Sequence, residues 1–276
     1  MSLTRITDWD DAYANAPYIK GGDAFPARWA EKANAFRALR QAHDAARLDI
    51  AYGGNPRETF DLFTSKGPTN GLVVFVHGGY WRAFEKSDWS HLAAGAVARG
   101  FSVAIPSYSL APQASLPGIT AQVTRVIQQA SGLAPGPIYL IGHSAGGHLV
   151  TRIVCANSTL SKGVGDRVQR VMSISGIHDL RPLLKTAINR DLRLDFAQAS
   201  AESPALQYPR EGVQHIAWVG GAERPEFIRQ SSLIASIWVG CGAATTIIME
   251  PGKHHYDVIE GLENPDSEML SILLDE

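Results

Sequence analysis

Short apolar runs rich in Val, Ile and Leu alternate along the chain with longer segments of helical periodicity. This alternation is typical of a mostly parallel β-sheet that helices cover on both faces. Eight strands are predicted, at 48–52, 59–64, 72–77, 102–106, 138–142, 170–175, 213–219 and 244–250. The third and fifth are continuously apolar, as expected of strands buried on both faces, whereas the first two are more polar and suit an antiparallel edge.

Helices are predicted between these strands from the residues at their ends. Ser87 is expected to cap a helix that runs to Arg99, with Gly100 in the left-handed position that follows. Pro117 and Pro225 lie in the first turns of two further helices. The second of these has one apolar face, which indicates packing on the core and consists of Phe227, Ile234, Ile237 and Trp238.

Two segments fall outside the strand–helix alternation. Residues 26–47 are interpreted as one amphipathic helix within a helical N-terminal extension, 1–47. Residues 177–212 contain three prolines and are interpreted as a small lid insertion of short helices and loops. Because no linker-like stretch interrupts the pattern, residues 1–276 are predicted to form one α/β domain around an eight-stranded, mostly parallel sheet.

Composition excludes several classes of function. The chain has 276 residues, a net charge of −2, and neither a basic stripe for nucleic acid nor a polybasic cluster for a membrane surface. Cys155 and Cys241 are its two cysteines, which favours a reduced compartment over a disulfide framework. The N-terminus shows no apolar signal region. We therefore expect a soluble, cytoplasmic protein that acts on a small molecule, and a homodimer is left open.

A candidate nucleophile lies in the motif Gly142-His143-Ser144-Ala145-Gly146. A Gly-x-Ser-x-Gly match alone is weak in a chain with 26 glycines. Here, however, the motif directly follows a predicted strand and precedes a predicted helix at 146–156. That turn forces the serine into an exposed, strained conformation, and it leaves the backbone N–H of Ala145 free to face a substrate oxyanion.

A glycine-rich loop follows the third predicted strand, in His77-Gly78-Gly79-Tyr80-Trp81. Such a loop allows backbone N–H groups to converge on a developing negative charge. We expect Gly79 and Tyr80 to supply these donors, and His77 to brace the loop by hydrogen bonding rather than to act as a base.

A serine hydroxyl needs an imidazole to accept its proton. His254 and His255 follow the last predicted strand, and the chain order serine, acid, histidine favours this pair, with His255 preferred. The acid should follow the seventh strand, where Glu223 lies on a loop and Glu226 has entered a helix. Asp179, after the sixth strand, is the alternative.

Metal and cofactor chemistry is not expected. Neither His254 with His255 nor His143 with His148 has the i, i+4 spacing of a zinc helix, and no His-Glu-x-x-His sequence occurs. Phosphate-loop and dinucleotide-binding motifs are also missing from the sequence.

Four segments of the sequence resemble the kynurenine formamidase (arylformamidase) branch of the α/β-hydrolases, which is related to the hormone-sensitive-lipase-like esterases. These segments are 77–81, 142–149, 175–183 and 224–231. The resemblance implies an α/β-hydrolase fold and cleavage of an aryl N-formyl amide with release of formate, often with weaker esterase activity on short acyl aryl esters. It also implies that position 223 holds the triad acid, although family members have aspartate there and this chain has Glu223.

The sequence therefore predicts a serine hydrolase that cleaves a small ester or amide. Ser144 is expected to attack the carbonyl, His255 to take its proton, and Glu223 to orient the imidazole. Tyr80, Trp81 and the 177–212 lid are expected to wall the substrate pocket. The alternatives are a short-chain carboxylesterase or amidase for another metabolite and a non-catalytic α/β-hydrolase scaffold that binds a ligand or partner.

Overall fold

The computed structural model describes residues 5–275, and an eight-stranded sheet lies at its centre. The strands are β1 (Ala46–Ala51), β2 (Thr59–Phe63), β3 (Leu72–Val76), β4 (Ser102–Pro106), β5 (Ile138–His143), β6 (Val168–Ile174), β7 (Gln214–Gly220) and β8 (Ala244–Glu250). Their spatial order is β1-β2-β4-β3-β5-β6-β7-β8; β1 and β2 are antiparallel to their neighbours, and β3 to β8 run parallel. The predicted sheet and its antiparallel edge are thus confirmed.

The middle of the sheet places the two loops of the predicted site side by side. β3 and β5 are buried along their whole length and pair in parallel from Leu72 with Ile138 to Val76 with Gly142. Because both strands end at the same edge, the loop after Val76 and the turn after β5 emerge next to each other.

Helices cover both faces of this sheet. The helices are α1 (Trp9–Tyr13), α2 (Phe25–Ala42), α3 (Ala94–Ala98), α4 (Leu116–Ser131), α5 (Ala145–Ile153), α6 (Lys162–Gly165), α7 (Asn189–Leu192), α8 (Phe196–Ala201), α9 (Pro225–Gly240) and α10 (Glu268–Leu274). One apolar core packs α4, α5 and α9 on one face, and a second packs α2, α3 and α10 on the other.

The helix predicted from Ser87 to Arg99 is wrong in its first half. The segment instead forms 3-10 turns at Lys86–Asp88 and Ser90–Ala93 before α3 begins. Trp89 separates the two turns with a non-helical backbone, and its large side chain is fully buried. Glu85 and Asp88, rather than Ser87, form the capping box. Gly100 does take the expected positive φ, at 87°.

The segments outside the sheet also differ in detail from the prediction. The helix predicted over 26–47 ends at Ala42, because the chain turns into β1 at Ala46. Residues 177–212 hold 3-10 turns at Arg181–Lys185 and Pro204–Leu206 together with α7 and α8, and the lid insertion stays a prediction. Within residues 5–275, no helix is long and apolar enough to cross a membrane.

Candidate active site

Ser144 occupies the sharp turn between β5 and α5. Its backbone has φ 55° and ψ −116°, a conformation that non-glycine residues rarely adopt. The flanking glycines make this turn sterically feasible. A Cβ at Gly142 would lie 2.1 Å from the carbonyl oxygen of Gly146, and a Cβ at Gly146 would lie 1.9 Å from that of Val76. The local sequence therefore presents Ser144 above the carboxyl edge of the sheet.

Glu223 and His255 form a buried pair next to this turn. Glu223 follows β7, and its Oε2 accepts a hydrogen bond from His255 Nδ1 at 2.7 Å. Its Oε1 accepts from the backbone N–H of Gly220 at 2.9 Å and from the Ser175 hydroxyl. Three donors thus hold the carboxylate, and the glutamate side chain reaches His255 despite its extra methylene.

Ser144 and His255 line the same cavity, whose volume is about 450 Å³. Because Nδ1 of His255 is engaged by Glu223, its Nε2 is left for the serine. Both residues lie in the part of the chain that the structure describes, and the Ser144 hydroxyl makes no hydrogen bond to His255 there. In free serine hydrolases this contact is often long and tightens when substrate binds.

The loop after β3 forms another side of the cavity. Gly79, Tyr80 and Trp81 have successive positive φ angles of 104°, 51° and 58°. The backbone N–H groups of Gly79, Tyr80 and Ala145 donate no hydrogen bond to any residue between 5 and 275. They are therefore available to an oxyanion, and Gly79 and Tyr80 line the cavity together with Ser144.

Residues 73–256 match the family described as alpha/beta hydrolase fold. The chain belongs to the α/β-hydrolase fold family. This hydrolase is similar to the kynurenine formamidase of Danio rerio, with 29% identity over 273 residues that cover 90% of this chain and 92% of that protein. It is also similar to the kynurenine formamidase of Drosophila melanogaster, with 29% identity over 234 residues that cover 80% of this chain and 78% of that protein.

A solved structure from Silicibacter sp., described as a candidate thioesterase, superposes with a TM-score of 0.91 and 45% identity over 96% of this chain and 98% of its own. These likenesses confirm the predicted fold class and the predicted resemblance to the formamidase branch.

The alternative acids of the hydrolase do not contact His255. Asp179 forms a two-point ion pair with Arg181, at 2.9 Å for both contacts. Burial alone would raise the pKa of Asp179, but hydrogen bonds from Arg181 hold that pKa below its ordinary value. Glu226 is held by Arg229 and also accepts from Tyr13.

The alternative histidines are likewise engaged elsewhere. His254 pairs with Asp257 at 2.9 Å and does not line the cavity. The fully buried His77 contacts the carbonyl oxygen of Gly78 at 2.7 Å and stacks on Tyr108. Burial lowers the pKa of His77 to about 4, so the residue stays neutral near pH 7, as expected of a brace for the loop.

Trp81 does not lie in the pocket wall, contrary to prediction. Its side chain is fully buried and packs edge-on against His148, with 5.1 Å between the ring centroids. Tyr80 does line the cavity, and its hydroxyl donates to the carbonyl oxygen of Tyr13. The two neighbouring aromatic residues therefore point to different sides of the loop, so Trp81 supports it from within the core.

His143 is a part of the site that sequence reasoning missed. Its Nε2 donates to the carbonyl oxygen of His255 at 2.9 Å, and the two rings lie 4.7 Å apart. Burial, and then the nearby His255, hold the pKa of His143 well below its ordinary value. The sequence feature that could have revealed His143 is its place in the motif around Ser144, because the side chain of a residue at a strand end points to the neighbouring loops.

The N-terminal segment forms a wall that was also missed. Residues 13–17 and Trp29 line the cavity together with the loops that follow the strands. The other wall residues are mostly aromatic: Tyr80, Phe84, Trp89 and Tyr256. From the predicted lid, only Ala187 and Ile188 reach the cavity. The aromatic residues ahead of α2 were the available signal, but they have no sheet periodicity that would place them in space.

Proposed function

We propose that this hydrolase cleaves an aryl formamide, with Ser144 as nucleophile, His255 as general base and Glu223 as the orienting acid. The observation that supports this proposal best is the Glu223–His255 pair at the floor of a cavity that also holds Ser144 and has aromatic walls. N-formylkynurenine, the substrate implied by the names of the formamidase relatives, is the first candidate.

The proposed reaction proceeds through a formyl-enzyme. The Ser144 hydroxyl oxygen bonds to the formyl carbon while its proton passes to His255 Nε2. Backbone N–H groups of Gly79, Tyr80 and Ala145 stabilise the oxyanion. The C–N bond then breaks, and His255 returns the proton to the departing aryl amine. A water molecule attacks the formyl ester, and formate leaves as Ser144 regains its proton.

Substitution of the nucleophile tests this mechanism. For Ser144→Ala we expect kcat on N-formylkynurenine to fall about 10⁴-fold or more, because the acyl-enzyme cannot form. Formation of kynurenine is followed by absorbance, and the same variant is assayed on p-nitrophenyl acetate. If the variant retains most of the activity on both substrates, the mechanism is wrong.

A carboxylesterase, thioesterase or amidase for another metabolite is the second candidate. It is favoured by the 45% identity to the structure described as a candidate thioesterase. Comparison of kcat/KM on N-formylkynurenine, p-nitrophenyl acetate and a short acyl thioester separates the two. Formamide turnover that is far slower than ester or thioester turnover would support this second function.

We also propose how the protein assembles. A homodimer would form through β8, an edge strand with the exposed side chains of Ile247 and Met249, because open apolar edges favour strand pairing. Size-exclusion chromatography with light scattering tests this proposed dimer.

A cytoplasmic location is supported by the unpaired Cys155 and Cys241 and is tested by cell fractionation.

A further inference from the structure

Charge in the substrate cavity is confined to its rim. The floor consists of buried groups, Ser144, His143 and His255, and the walls above it are mostly aromatic. Among residues 5–275, two with full charges reach the lining, Asp10 and Arg82, and both are exposed. An aromatic ring bound between the floor and the rim would therefore place its polar substituents beside one carboxylate and one guanidinium group.

Arg82 has unused hydrogen-bonding capacity toward the cavity. It follows Tyr80 and Trp81 in the loop after β3, and its side chain is 42% exposed. Its Nη1 donates to Asp191 in α7 at 2.7 Å. A guanidinium has five N–H donors in a planar fork, so the others can bind a substrate carboxylate.

The N-terminal side of the cavity offers acceptors instead. Asp10 Oδ1 accepts from the backbone N–H of Ala187 at 2.6 Å, which leaves the second carboxylate oxygen for another donor. Asn15 is only 7% exposed and lines the same wall. Its Oδ1 has no partner among residues 5–275, while its Nδ2 points to the Tyr80 hydroxyl at 3.4 Å. A buried acceptor without a protein partner is open to a donor from a ligand or from a water molecule.

We propose that this rim selects aryl formamides whose ring bears an α-amino-acid side chain, with Arg82 binding the carboxylate and Asp10 the ammonium group. A cation and several acceptors line the same cavity, which matches the opposite charges of such a zwitterion. The inference rests on the proposed formamidase function and names the part of the substrate that decides selectivity.

The same two residues also hold the 177–212 insertion against the cavity. Asp10 contacts Ala187, and Arg82 contacts Asp191, only four positions further along. A purely structural role for Arg82 would act through Asp191, whereas carboxylate binding would not require that partner. Asp191 does not line the cavity, so its substitution separates the two roles.

The test compares two formamides in steady-state kinetics. N-formyl-L-kynurenine has the amino-acid side chain, and N-(2-acetylphenyl)formamide has the same ring, ketone and formamide without it. For Arg82→Gln and for Asp10→Asn we expect the ratio of their kcat/KM values to fall about tenfold, through a higher KM for N-formyl-L-kynurenine. Asp191→Asn serves as the matched control and should leave the ratio unchanged or raised.

Two outcomes would overturn the inference: an unchanged ratio in Arg82→Gln, as an equal loss on both formamides would give, or the same fall of the ratio in Asp191→Asn. Competition against p-nitrophenyl acetate provides a readout that does not depend on formamide turnover. There, L-kynurenine should inhibit the unmodified enzyme about tenfold better than 2-aminoacetophenone, and Arg82→Gln should remove that difference. Equal inhibition by the two amines would refute headgroup recognition, whereas selective inhibition without formamide turnover would refute only the proposed reaction.

Discussion

The two sides of the cavity are held in place by different means. On one side, Ser144, Glu223 and His255 each follow a parallel strand, so the backbone pairing of the sheet sets their positions. On the other side, residues 10–17 precede the sheet and are held mainly by side-chain contacts, among them the hydrogen bond from Tyr80 to the backbone. The comparison teaches that the positions of the proposed catalytic groups depend on the sheet, whereas the shape of the rest of the cavity depends on a segment outside it.

The largest effect is expected on the strand-end side. In Glu223→Gln, an amide replaces the carboxylate that accepts from His255, so the wrong imidazole tautomer is favoured and kcat should fall about 10³- to 10⁴-fold. Asp179→Asn is the matched control, since Asp179 pairs with Arg181 instead. The kcat of both variants on N-formylkynurenine is measured by steady-state kinetics. A larger loss in Asp179→Asn would mean that the triad acid is Asp179, after β6, and not Glu223.

A smaller effect on the same side is expected from Ser175→Ala. Its hydroxyl is one of two donors to Glu223 Oε1, so its loss should loosen the acid and lower kcat about tenfold with KM unchanged. Ser173→Ala is the control, because that buried serine contacts His178 instead at 3.2 Å. Similar kcat losses in both variants would mean that Ser175 acts only through packing.

The smallest effect is expected on the N-terminal side. Tyr80→Phe removes the hydroxyl that links the loop to Tyr13 and Asn15, and we expect kcat/KM to fall about fivefold, mainly through KM. Tyr18→Phe removes a hydroxyl from the same segment, where it contacts Asp11, but Tyr18 does not line the cavity. If Tyr80→Phe instead lowers kcat alone, the N-terminal wall acts on the chemistry, and the distinction between the two sides fails.

The positions of residues that the sheet determines could be predicted from the sequence. Strand periodicity and the motif around Ser144 led to the proposed nucleophile, and chain order led to Glu223 and His255, which the structure brings into contact. Periodicity does not determine which way a loop side chain points, so Trp81 was assigned to the wall although it lies in the core. Periodicity also could not anticipate that the buried Trp89 would separate two 3-10 turns where a helix was predicted.

The N-terminal wall could not be predicted, for a physical reason. Tyr13 meets Tyr80 and Glu226 across 67 and 213 positions of sequence, and a single sequence contains no pairing rule for such contacts. Strands, in contrast, follow a register that repeats along their length.

The backbone of Ser144 has an evolutionary consequence. A serine held at φ 55° and ψ −116° costs on the order of 1–3 kcal/mol, a penalty that glycine at the same place would largely avoid. In a lineage released from catalysis, mutation to glycine would stabilise the fold and face no opposing selection. A chain that still has serine at this position therefore fits an enzyme better than a non-catalytic scaffold, because activity is what offsets the thermodynamic disadvantage of the residue.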